Sequence, residues 1–309
     1  MLKKNRMTAC EKYRNERCRI MITSITSDMD GTLLNENQEI SEANKQAILD
    51  AQKQGVEVIV ATGRSYEEAR HVLKDAGISC DIICVNGAEV RNKEGEIVHQ
   101  AGIESSHAKQ IAAALNEAGI YFEVYTDKGT YTENYDMGIE LIVDIFTTAN
   151  PGVTEEQVRQ SARERFENGH IKLVDDYGMI FNDESQLVYK FLVFSFDDEQ
   201  LKAANGKLKN IEGIAVSSSG KENLEVNSID AQKGVALERV LKEKGLSPED
   251  GMAMGDNLND LSMMKVVGRP VAMGNALDQI KEFCTYQTAA NRDDGVAKAI
   301  REAIQSPVK

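Results

Sequence analysis

Four aspartates stand out by their spacing. Asp28 and Asp30 lie two positions apart in SDMDGTLL, directly after an apolar-leaning, β-branched run, and Asp256 and Asp260 lie four apart in GDNLND. Carboxylates crowded together repel, so either a cation sits among them or one of them keeps a proton. Hard oxygen ligands with few other donors favour Mg2+, which keeps several waters and takes one or two carboxylates plus phosphate oxygens. A phosphate is the natural partner of such an ion, and donors for one are present. Thr62 offers a hydroxyl, Gly63 permits close backbone approach, and the helix that follows adds its partly positive N-terminus. Lys233 offers a point charge near a helix start, and Asn259 an amide. Each piece alone reads as ordinary structure: a turn after a strand, a loop, a solvated lysine, a helix cap. Four such motifs in one order, each at a strand-to-helix junction or a helix start, point instead to phosphoryl chemistry.

The elements that would position these residues follow from the hydrophobic pattern. Residues 22–28 predict a buried strand, Ser41 opens a helix that Gly55 ends, and VEVIVATGR (56–64) predicts a second strand. Ser65 and Glu68 have capping-box spacing before a helix that runs to Gly77, and DIICV (81–85) predicts a third strand. Strand–helix alternation is the pattern of a parallel α/β sheet. The rhythm then changes to hairpins, at 88–100 and 121–134, with helices near 105–118 and 197–209 and strands VYKFLVFSF, GIAVSS and NLEVN, which predicts an α+β unit with an antiparallel sheet. From Asp230 the alternation returns: helix 231–244, strand GMAMG, helix 258–266, strand RPVAM, helix 275–283 and a last helix 294–304. The expected organisation is a parallel-sheet core built from 22–86 and 229–309, split by an inserted α+β unit over 87–228. In a parallel sheet ligands bind beyond the carboxyl ends of the strands, where Asp28, Asp30, Thr62, Gly63, Asp256 and Asp260 all fall.

Composition sets the surroundings of such a site. The 309 residues are 41% hydrophobic and 28% charged, with no apolar run near the ~20 residues that cross a bilayer. A formal net charge of −14 disfavours nucleic acid or an anionic membrane as partner. It leaves room for a small phosphorylated metabolite in a local basic pocket. Five cysteines, with no C-x-x-C pair, argue for reduced thiols and a cytoplasmic protein. Residues 1–21 are basic without an apolar segment, so they are not a secretory signal; they are expected to be a disordered extension. Oligomeric state is not legible.

The quoted motifs, together with ATGR (61–64), NGAEV (86–90), Lys233 in QKG, VAMGNA (271–276) and NRDDGVA (291–297), resemble the haloacid dehalogenase-like (HAD) superfamily of phosphatases. Within it the chain resembles the Cof-type branch, whose mobile C2-type cap is inserted after the third core strand. The likeness covers all but residues 1–21, although within the cap it is one of position and layout. It implies a Rossmann-like core, Mg2+ and an aspartyl-phosphate mechanism. Asp28 would attack phosphorus in line. Asp30 would protonate the leaving alcohol and later take a proton from water. Mg2+ would be held by Asp28, Asp256 and the backbone carbonyl of Asp30. Asp260 would orient the metal shell or Lys233, and Gly31 would permit the tight turn. Arg64 could meet substrate or cap, and Asn86 could be a hinge or a phosphate-side donor. Glu89 and Arg91 read as hairpin residues, and Tyr121, Phe122, Tyr125 and Tyr131 as cap core. Turns near Asp127–Gly129 or Gly178 could overhang the crevice. Sugar phosphates or flavin-pathway phosphates are the implied substrates. A phosphomutase or phosphotransferase on the same core, or a non-catalytic phosphate-binding regulator, stays open. A phospho-acceptor signalling domain would need neither Asp30 nor an insertion of this size.

Overall fold

The first alternating segment forms three strands, β1 (Ser24–Ser27), β2 (Glu57–Ala61) and β3 (Asp81–Cys84), separated by the helices Glu42–Lys53 and Tyr66–Asp75. This is a computed structural model, and it describes residues 22–140, 143, 154–167, 171–220 and 222–305. The expected disordered extension 1–21 lies outside the described residues. Three further strands, β12 (Gly251–Gly255), β13 (Arg269–Ala272) and β14 (Tyr286–Gln287), join the same sheet from the C-terminal part. Its order is β14-β13-β12-β1-β2-β3-β4-β5, where β4 (Glu89–Arg91) and β5 (Ile97–Gln100) are the first hairpin. The strands from β14 to β3 pair in parallel. β1 is central, with Ser27 opposite Val60 of β2 and Met254 of β12, so the loops after all three strands open side by side.

Helices cover both faces of this sheet, so β2, β3 and β12 read as continuous rather than alternating apolar runs, while β1 buries the small polar side chains Ser24, Thr26 and Ser27. One face packs Ile25, Val58, Val60, Met252 and Met254 against Ala47, Ile48 and Ile300. The other packs Ile59, Ala61, Ile83 and Ala253 against Ala236, Leu237 and Val240 of the helix Lys233–Glu243. Ser41 caps the helix Glu42–Lys53 by accepting from Asn44 N at 3.1 Å. Buried Asn44 then donates to Leu33 O (3.1 Å) and accepts from Ala297 N (2.9 Å), tying the end of the DMDGTLL turn to the last helix, Gly295–Gln305.

A second sheet has the order β10-β11-β9-β6-β7-β8. Its strands are β6 (Tyr121–Thr126), β7 (Gly129–Thr132), β8 (Ile171–Leu173), β9 (Val188–Phe194), β10 (Ile214–Ser217) and β11 (Asn223–Ser228). Pairing is antiparallel except between β7 and β8. That parallel pair, like the helix Glu155–Glu167 before it, had no counterpart in the sequence reading; a long crossover is what parallel neighbours require. The helices Ser105–Glu117 and Asp198–Leu208 bury Ile111, Leu115, Leu201 and Leu208 against Phe122, Val124, Phe191, Val193 and Val226. Strand alternation sends Tyr125, Lys190, Glu225 and Asn227 to the opposite face.

Two details depart from expectation. The hairpin 88–100, read from sequence as the start of the inserted unit, hydrogen-bonds to β3 and extends the first sheet antiparallel. The helix expected over 258–266 is shorter: a 3-10 turn, Leu258–Asp260, capped by Asn257 and Asp260, runs into a four-residue helix, Leu261–Met264.

Candidate active site

Asp28 is the first residue past β1, and its N–H donates to Met254 O of β12 at 3.1 Å. The chain then winds through a wide turn in which Leu33 N and Leu34 N return to the carbonyls of Asp28 and Met29. Gly31 takes φ +75° there, and a Cβ on it would stand 2.5 Å from Asp256 Oδ2. Glycine is thus required both by the backbone and by the carboxylate against it. Thr32, fully buried, donates from Oγ1 to Asp256 Oδ1 at 2.9 Å.

Lys233 opens its helix with no exposed surface. Its ammonium donates to Asp28 Oδ1 at 2.6 Å and to Asp260 Oδ1 at 2.7 Å. Asp260 Oδ2 accepts from the N–H groups of Asp256 and Asn257 at 2.9 and 3.1 Å. Both Asp260 oxygens are therefore spent on Lys233 and its own loop, which leaves it positioning rather than open for coordination. Among the described residues, the second oxygens of Asp28 and Asp256 have no hydrogen-bond partner.

Asp28, Asp256 and Asp260 offer oxygens that all lie within 4.8 Å of one another. Burial, reinforced by Asp260, pushes the Asp28 carboxyl well above the usual range against the opposing pull of Lys233. Burial and the Asp260 charge push Asp256 up to about 7. Lys233 is held firmly charged, because Asp260 and Asp28 outweigh the cost of burying it. One ammonium, bonded to Asp28 and Asp260, faces three crowded carboxylates. An all-oxygen donor set with two free oxygens and a raised proton affinity suits a hard divalent cation.

The other expected residues gather around this centre, with different partners. Asp30 is half exposed, and Arg64 grips it by two bonds, Nε to Oδ2 at 2.8 Å and Nη2 to Oδ1. Gln38 also accepts from that guanidinium. Thr62 is fully buried and its Oγ1 accepts from Arg64 N at 3.1 Å. Asn86, at φ +60°, donates to Glu225 Oε2 (3.0 Å) and Asn227 Oδ1 (3.2 Å) of the second sheet, which places it at the seam between the sheets. Asn259 reaches the same pair, Asn86 and Glu225, at 3.4 Å.

A cavity of about 250 Å³ lies between the two sheets, lined by Asp28, Asp30, Gly63, Arg64 and Asn259 and, from the second sheet's side, by Tyr125, Lys190, Ser219 and Glu225. Phe122 and Tyr131 are core residues, as expected, whereas Tyr125 faces the cavity. The turns at 127–129 and at Gly178 do not line it. Glu89 and Arg91 pair with each other at 2.7 Å, within the hairpin. The sequence reading gives no role to Lys190, Glu225 or Thr32.

The family model for haloacid dehalogenase-like hydrolases matches residues 25–300. The Bacillus subtilis phosphatase YwpJ is 33% identical over 282 residues, covering 91% of this chain and 99% of that protein. The B. subtilis 5-amino-6-(5-phospho-D-ribitylamino)uracil phosphatase YwtE is 35% identical over 281 residues, covering 91% and 97%. A solved B. subtilis haloacid dehalogenase-like hydrolase superposes with a TM-score of 0.81 at 33% identity, covering 90% of this chain and 99% of that one. With matching sequence over nine-tenths of its length, a central parallel sheet and a cluster of aspartates at its carboxyl edge, the chain belongs to the haloacid dehalogenase-like hydrolase family, among its Cof-type phosphatases.

Proposed function

We propose that this chain is a Mg2+-dependent phosphomonoesterase of small phosphorylated metabolites that works through a phosphoryl group carried on Asp28. The observation that carries this reading is the position of Asp28: buried, bound on one oxygen by Lys233 and free on the other, in the lining of a cavity that Asp30 also lines. Lys233 holds the carboxylate still and favours its charged form against burial and Asp260, so that the free oxygen can attack phosphorus while the ester oxygen departs. Asp30, more exposed and lining the same cavity, gives the leaving oxygen its proton and in the second half takes one from the water that breaks the acyl phosphate. To do so it must leave Arg64, whose guanidinium is then free to meet the substrate. Asp28, Asp256 and the Asp30 carbonyl would hold the metal, and Asp260 would brace Lys233 and the 256–257 backbone. When bound, the ion supplies charge neutralisation for the nucleophile and for the phosphoryl oxygens. Thr62, Gly63 and Asn259 are the remaining phosphate contacts in this reading.

The rim of the cavity is polar, with Arg64, Glu68, Ser219 and Asn257 facing the space a leaving group would take, which suits a hydroxylated one. The relative YwtE is named for a ribityl phosphate, so polyol, sugar and flavin-pathway phosphates form the first panel. We take the second sheet with its helices as the cap, and the cytoplasm as the compartment; Cys80, Cys84 and Cys284 are buried and unpaired. The decisive experiment is inorganic phosphate release from that panel with Mg2+, with EDTA, and with Asp28→Asn. Release that survives either treatment would sink the proposal.

A further inference from the structure

The polar face of the second sheet carries a lysine that the phosphoryl chemistry above does not use. Lys190 lies in mid-strand on β9, opposite Tyr125 of β6 and Asn227 of β11, and is only 3% exposed. Its ammonium sits 4.6 Å from the centre of the Tyr125 ring. It donates to Glu225 Oε1 at 3.1 Å and, across the cavity, to the carbonyl of Gly63 at 3.0 Å. Glu225 is equally buried and also accepts from Asn86 and Asn259, in the turns that follow β3 and β12 of the first sheet. Burial would raise its carboxyl, but the Lys190 charge and the Asn86 bond bring it below its usual range.

A buried ion pair is a poor way to stabilise a fold, because desolvating both charges costs several kcal/mol. This pair has a second connection. Lys190 and Glu225 stay together on neighbouring strands of one sheet, while their remaining bonds all cross to the other. The Lys190 bond lands on the Gly63 peptide, between Thr62 and Arg64. Fixing that carbonyl fixes the Gly63–Arg64 peptide plane, whose N–H is held by Thr62 Oγ1. The fit is close: a Cβ on Gly63 would stand 3.1 Å from Glu225 Oε1 and 3.3 Å from Asn86 Oδ1.

We propose that Lys190 is a positioning residue that shapes the 62–64 turn from the second sheet, so that this turn reaches its phosphate-binding form only when that sheet is docked. Glu225 is the counter-charge that makes a buried ammonium tolerable there, and through Asn86 and Asn259 it registers the same docking. Phosphate affinity and closure of the crevice are then one equilibrium. The phosphate-affinity part rests on the reading of the site as phosphate-binding; the control of the turn does not.

The test uses the full chain as Lys190→Met, Lys190→Arg, Glu225→Gln and the double variant Lys190→Met/Glu225→Gln. The single Lys190→Met strands a buried carboxylate and lowers the melting temperature; the double variant removes both charges and regains it. The expected result is that the double variant melts like the parent, yet the Arg64 amide exchanges with solvent at least tenfold faster while β1 and β2 amides do not. Its dissociation constant for inorganic phosphate with Mg2+, by calorimetry, rises at least tenfold. Lys190→Arg recovers part of both. A double variant with parental Arg64 exchange and parental phosphate affinity overturns the proposal, as does loss that tracks melting temperature across all four variants. Should the parent release no phosphate from any ester, the phosphatase reading fails, and Arg64 exchange still decides the role of Lys190.

Discussion

Replacing Lys233 by methionine removes the single ammonium that Asp28 and Asp260 share, at 2.6 and 2.7 Å, in a place with no solvent exposure. Methionine is close in length and apolar, so the perturbation is one of charge. Removing one partner of a buried ion pair typically costs about 3–5 kcal/mol, because the charge left behind has no compensation. Asp260 keeps its two backbone N–H donors, so most of the loss falls on Asp28. Asp28 is already pushed up by burial and by Asp260, with Lys233 opposing. Without Lys233 it rises further and takes up a proton. A carboxyl whose folded pKa is raised stabilises the fold below its unfolded pKa, and that stability is lost as pH climbs through the folded value. Lys233→Met in EDTA is therefore expected to melt on the order of 10 °C below the parent at pH 8, with the gap closing towards pH 5. Scanning fluorimetry across that range measures it. Phosphatase activity should fall by about a thousandfold, the scale of losing a preorganised charge next to the reacting atoms. Parental melting at pH 8, or a deficit independent of pH, would refute the claim that this ammonium neutralises the site.

Asp256, pushed up to about 7, makes the metal-free chain lose stability as pH rises from about 4 to about 7, and a bound divalent ion should remove that penalty. Mg2+ should accordingly raise the melting temperature more at pH 8 than at pH 5, and Asp256→Asn should erase the difference. Gly31→Ala places a Cβ 2.5 Å from Asp256 Oδ2 at a φ of +75°. A stability loss of about 1–2 kcal/mol and at least a hundredfold loss of kcat are expected, with the far-ultraviolet circular dichroism unchanged.

Much of the site was legible because its residues sit where the backbone pattern changes. Asp28, Thr62 and Asp256 each follow directly on a buried strand, and parallel topology alone carries those strand ends to one edge. Lys233 was legible as a cation near a helix start, but not its burial, which depends on Asp28 and Asp260 arriving from positions 205 and 27 residues away. Arg64 was seen with its partner undecided; the ion pair to Asp30 depends on how the two loops stand side by side. The seam residues Lys190 and Glu225 escaped notice because β-strand propensity treats a single charge as a solvent-facing position. Only the docking of one sheet on another turns that position inward. The short strands β8 and β14 were missed for a related reason: each pairs in parallel with a strand across a crossover.

The central place of β1 has a consequence for synthesis. Its neighbour β12 begins at Gly251, 224 positions beyond Ser27 (251 minus 27). At ribosomal speeds of about 5–20 residues per second, β1 waits roughly 10–45 s with one edge unpaired. For most of that interval the nascent chain has β2 but neither Lys233 nor Asp256, so Asp28 is made long before the lysine that pairs with it. The interrupting segment is translated meanwhile and has its own apolar core, so it can fold first and leave the two flanking pieces to find each other late. Chaperone demand should therefore track the exposed flank of β1 rather than the length of the insertion.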